Sequence, residues 1–122
     1  MKLRALSVAL VALLLMGGLP AQAHSQLVTA SPRPGASLSS SPTEIKLVFN
    51  EDLIALGGTS NVIIVQNAKG KFVRTSETIV VASTVSISIP GKLRPGRYSV
   101  RWRVVSADGH PISGRYGFTV KK

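Results

Sequence analysis

RYSVRWRVV, residues 97–105, alternates without a break: Tyr98, Val100, Trp102 and Val104 fall on one side, Arg101 and Arg103 on the other. Side chains of an extended strand point alternately to opposite faces, so the pattern predicts a strand with one buried and one wet face. Its surroundings repeat the pattern. TEIKLVFN (43–50) aligns Ile45, Leu47 and Phe49 against Glu44 and Lys46, and TVSISIP (84–90) aligns Val85, Ile87 and Ile89 against Ser86 and Ser88. GRYGFTVK (114–121) puts Tyr116, Phe118 and Val120 on one face. NVIIVQN (61–67) is a continuous apolar run, which predicts a strand covered on both sides. QLVTA (26–30) and KFVRT (71–75) supply two more strands, AKGK (68–71) a hairpin turn, and RPGRY (94–98) a Pro-Gly turn. SPRPGASLSSSP (31–42) reads as an ordered connection between strands, and EDLIALGG (51–58) as a short helical turn or a loop. No segment beyond residue 23 has a helical period. Seven strands in about a hundred residues predict an all-β, immunoglobulin-like sandwich, with the topology left open by pattern alone.

The first 23 residues are different in kind. Lys2 and Arg4 precede an apolar run from Ala5 to Met16, and Ala21-Gln22-Ala23 is a small-x-small triplet. This is the layout of a cleaved secretory leader, and the run falls short of the roughly 20 apolar residues of a permanent span. Cleavage after Ala23 leaves one domain, His24 to Lys122, 99 residues long, with no integral membrane segment. Of fifteen basic residues two lie in the leader, so thirteen stand against five acidic ones, a net charge of +8. Export argues against nucleic acid as a partner. The basic surplus is read as solvating outward strand faces, with attraction to anionic envelope surfaces as its other consequence. An exported chain meets an oxidising compartment, yet there is no cysteine, so packing alone must hold the fold.

The chain has two histidines, His24 and His110. Cleavage makes His24 the first residue, and a free N-terminal histidine offers two nitrogens, its α-amine and its ring Nδ1. His110 stands in SADGHPISG (106–114), two residues after Asp108. In an extended segment i and i+2 project to the same side, so carboxylate and imidazole can reach one point. Asp-Gly is also a common turn dipeptide, and spacing alone leaves both readings open. Three nitrogens and one oxygen in a tetragonal arrangement suit Cu(II), which also heads the divalent affinity order.

These residues carry a resemblance. His24 after the leader, LVTASPRPGASLSSSP (27–42), IKLVFNE (45–51), LRPGRYSVRWRVVSADGHPISG (93–114) and GFTV (117–120) occur in the order of the CopC family of periplasmic copper-binding proteins, which the chain resembles over nearly all of 24–122. The resemblance implies a seven-stranded Greek-key β-sandwich and a site for one Cu(II), with metal ligands His24, Asp108 and His110. Glu51 matches a family glutamate near the copper, as a weak ligand or a neighbour of the ligands. A methionine-rich Cu(I) loop found in some members is missing: Met1 and Met16 both fall in the leader. The expected function is a periplasmic Cu(II) carrier or buffer in copper homeostasis or resistance, not an enzyme, working beside a membrane copper transporter. Two other classes stay open: a small copper monooxygenase with the same histidine brace, and a metal-free interaction module. Few aromatics for a sugar-binding face count against the oxygenase.

Overall fold

A computed structural model describes residues 25–56 and 60–122. The expected leader and His24 lie outside the described residues.

The expected all-β sandwich is what the chain forms. Eight strands run in order: β1 (Leu27–Ser31), β2 (Ser37–Leu38), β3 (Glu44–Phe49), β4 (Val62–Asn67), β5 (Ile79–Val81), β6 (Thr84–Ser88), β7 (Gly96–Val105) and β8 (Pro111–Val120). They make two four-stranded sheets, β1-β3-β6-β5 and β2-β8-β7-β4. The chain changes sheet at every connection except β5 to β6 and β7 to β8, so neighbours in sequence are often partners across the core rather than within a sheet. All pairs are antiparallel except β2 with β8. Among the described residues no helix is long and apolar enough to cross a membrane.

Alternation sets the core. Ile45, Leu47, Val85 and Ile87 from one sheet meet Ile63, Val65, Val100 and Val104 from the other, all buried. Each such side chain contributes about 1.5–3 kcal/mol on leaving water, and with no cysteine this packing carries the fold. Trp102 bridges the layers, its ring edge-on to Phe49 with centroids 5.2 Å apart. The ring lies over Gly114, its direct partner across β7 and β8. A Cβ at 114 would sit 2.5 Å from Trp102 Cζ2, so only glycine admits the indole. Tyr98 donates its hydroxyl to the carbonyl of Arg94 at 2.7 Å, closing the corner before β7 as in immunoglobulin-like domains. Among the described residues every buried core side chain lies between Ala30 and Val120.

Three local expectations change. KFVRT contributes a single bridge, Phe72 to Gln66, and is not a strand. The short β2 and β5 raise the strand number to eight. NVIIVQN is covered on one side only: Ile63 and Val65 are buried, but Ile64 is exposed, because a two-layer sandwich leaves each sheet one open face. Of EDLIALGG, Leu53 makes a bridge to Ser106 and no helical turn forms over the described part.

Candidate metal centre

β7 and β8 form a long hairpin whose connection is residues 106–110. Ser106 N–H donates to the His110 carbonyl at 2.9 Å, and Gly109 N–H to the Ser106 carbonyl at 2.8 Å. Gly109 has φ +85°, a left-handed value that a side chain resists, which is why Asp-Gly serves here. Of the two readings that the spacing left open, the turn is the one that forms, and Asp108 and His110 meet across it.

The Asp108 carboxylate is the centre of the turn. Its Oδ1 accepts from the His110 backbone N–H at 3.1 Å and from the Ser106 hydroxyl. Its Oδ2 lies 2.9 Å from His110 Nδ1. The Ser106 hydrogen bond, followed by those from His110, holds the Asp108 carboxyl well below the usual carboxylate range, so it is ionised at any physiological pH. With Nδ1 turned to the carboxylate, Nε2 is the ring nitrogen on the side away from Asp108. A carboxylate on the other nitrogen of a metal-binding imidazole fixes ring orientation and raises its basicity. Ser106 is fully buried, whereas 65% of the His110 side chain and 30% of the Asp108 side chain are exposed. An exposed ring on a buried base is a geometry for taking up a solute ion.

The N-terminal edge of the described chain is held at the same end of the sandwich. Buried Ser25 donates its hydroxyl to Glu51 Oε1 at 2.7 Å. Gln26 N–H donates to Asn50 Oδ1 at 2.7 Å, and Asn50 N–H returns to the Gln26 carbonyl at 3.0 Å. Two residues past Glu51, Leu53 bridges Ser106, and Ile54 N–H donates to the Val105 carbonyl at 2.9 Å. Buried Asn61 locks this crossing: its amide donates to the Ile54 carbonyl at 2.7 Å and accepts from Val105 N–H at 2.9 Å.

The structure thus brings Asp108 and His110 together and binds Glu51 to Ser25. Among the described residues no group of three or more His, Cys, Asp or Glu side chains is gathered around one point. Sequence reasoning did not single out Ser106, Ser25 or Asn61. Ser106 had a visible signal, a serine two residues before an aspartate in a turn. The Ser25–Glu51 and Asn61–Val105 contacts span 26 and 44 residues and have none.

Comparison with known proteins accords with this layout. The family model for the CopC domain matches residues 27–121. The chain is 33% identical over 108 residues to copper resistance protein C of Pseudomonas syringae pv. tomato, covering 83% of each chain. It is 31% identical over 103 residues to the copper transport protein CutJ of Bacillus subtilis, covering 82% of this chain but only 18% of that one. The crystal structure of CopC from Methylosinus trichosporium OB3b superposes with a TM-score of 0.69 at 32% identity, covering 80% of this chain and 94% of that one.

Proposed function

The chain belongs to the CopC family, and from that premise we propose that it is a periplasmic Cu(II)-binding protein, a carrier or buffer in copper homeostasis or resistance rather than an enzyme. The observation that carries the reading is the Asp108–His110 turn, set at the end of the sandwich where Ser25 is anchored. Ser25 is the sequence neighbour of His24, so the anchor that Glu51 provides for Ser25 supports a part for His24 in the same site. In this reading the copper ion is cargo. His24 supplies its α-amine and ring, His110 its Nε2, and Asp108 the negative charge beside them. Nitrogen and oxygen donors with no thiol or thioether in residues 24–122 favour Cu(II) and leave Cu(I) without a soft partner. The names of the relatives, a copper resistance protein and a copper transport protein, support the copper role. That the copper transport protein CutJ carries a similar region within a much longer chain supports a place in copper transport.

The test uses the N-terminus. A protein starting at His24 is compared with one carrying a single extra Gly before it, both termini verified by mass spectrometry. The added residue turns the amine into an amide, a poor donor. Cu(II) titration, followed by electron paramagnetic resonance of the bound ion, is expected to show one tight site in the first protein and its loss in the second. Equal affinities would falsify the N-terminal brace.

A further inference from the structure

The outer face of the β2-β8-β7-β4 sheet has a composition that the copper reading does not use. Cross-strand register puts Ile64, Arg101 and Arg115 in one row across β4, β7 and β8. Arg103 follows in the next row, opposite Val62 and Ser113. Arg101, Arg103 and Arg115 are exposed, and beside them stand Phe72, 73% exposed, and Ile64, 37% exposed. Like charges directly opposite one another destabilise a sheet, and Arg101 faces Arg115. Among the described residues neither makes an ion pair, the two that occur being Lys46–Glu44 and His110–Asp108. None of the five acidic residues lies on β4, β7 or β8.

We propose that this face docks on the surface of an anionic phospholipid bilayer, the three guanidinium groups meeting lipid phosphates while Phe72 and Ile64 enter the interfacial layer. Charge complementarity selects an anionic partner. The lining selects its kind. An open trough of about 570 Å³ has Ile64, Val62 and Phe72 on one side and Arg101, Arg103 and Arg115 on the other. A phospholipid surface changes from phosphate to hydrocarbon over a short depth and matches both sides, whereas an acidic protein surface matches only the arginines. The positions are also spread in two dimensions, about 7 Å apart along β7 and about 5 Å across to β8. No single carboxylate meets such an array, but a sheet of headgroups does. Because β7 and β8 lead directly into the 106–110 turn, a chain lying on this face keeps that turn at the rim of the contact.

The proposal is independent of copper, and the test uses metal-free protein. The chain begins at His24, since the apolar N-terminal run would bind lipid by itself. Co-sedimentation is measured with phosphatidylcholine vesicles, with and without about one part in three of phosphatidylglycerol, at low and high salt, because surface attraction is screened by ions. Binding is expected to the anionic vesicles at low salt and to fall at high salt. Each basic residue near such a surface is worth about five-fold in affinity, so Arg101→Ser with Arg115→Ser lowers it about 25-fold. Lys46→Ser with Lys92→Ser removes the same charge elsewhere and leaves affinity within about two-fold on this basis. Phe72→Ser weakens binding several-fold. The arginine variant melts at the same or a higher temperature, because a like-charge pair has gone, so misfolding is separable from lost docking. Three results overturn the proposal: no binding to anionic vesicles, equal losses in the arginine and lysine variants, or tighter binding to soluble polyglutamate than to vesicles. The last would point to an acidic protein partner.

Discussion

At the scale of single residues, the Asp108 carboxylate accepts hydrogen bonds from the Ser106 hydroxyl and from both the backbone and the ring of His110. That arrangement orders the expected effects of substitution. Under the proposed copper role His110→Ala removes a ligand nitrogen and is expected to cost more than about 100-fold in Cu(II) affinity, the upper end of what an outer partner costs. Asp108→Asn keeps the shape, loses the charge and is expected to cost about 10- to 100-fold, while Ser106→Ala, one bond further out, costs less than either. Competitive Cu(II) titration measures all three, and a His110→Ala protein with unchanged affinity sinks the assignment. The pair itself was legible in the sequence, because two chemistry-bearing residues stood two apart in a chain with two histidines. Its geometry was not: the spacing fits an extended segment and a turn equally, and Gly109 decided for the turn. Ser25 and Glu51 were illegible as a pair, since only the folded sheet closes the gap between them.

At the scale of elements, legibility followed length. β7 and β8 each span ten residues, enough for a period of two to stand out. β2 has two residues and β5 three, too few to carry a period, and β5 leaves Ile79 and Val81 exposed where a pattern reader looks for polar residues. Sheet order was out of reach because inward parity says which face is buried, not which strand lies alongside. The Trp102–Gly114 pair shows what parity omits: both point inward, and one is glycine because the other is large. Gly114→Ala is therefore expected to destabilise the hairpin although alanine is the better strand residue. The indole cannot retreat cheaply, being packed edge-on to Phe49. Overpacking of this kind costs about 1–3 kcal/mol, which in a domain near 100 residues lowers Tm by about 5–20 °C. Thermal unfolding followed by the emission of the one tryptophan reports both stability and ring environment, and an unshifted Tm with unchanged emission contradicts the packing described.

At the scale of the whole molecule, stability is held by one core with no covalent staple, and one buried group contributes to its alkaline limit. The Tyr116 hydroxyl is buried with no hydrogen-bond partner among the described residues, and burial pushes its pKa up to about 12. In the unfolded chain a tyrosine titrates near 10. Between these values the unfolded state holds fewer protons than the folded one, so this contribution is complete below about pH 10 and is lost as pH rises toward 12. Tyr116→Phe removes that loss, and it also removes an unpaired buried hydroxyl, so the variant is expected to be at least as stable at neutral pH. Denaturant unfolding at neutral pH and near pH 11 compares the two proteins. Parallel declines would assign the alkaline loss to other groups. The length of the last hairpin strand has a different kind of consequence. β8 starts beside His110 and runs ten residues away from it, about 34 Å at full extension, before the chain reaches Lys122. A fluorophore or a surface linker coupled at Lys122 thus sits at the pole opposite the Asp108–His110 turn. The molecule can be tethered or watched from that pole with its N-terminal amine and its histidine turn left untouched.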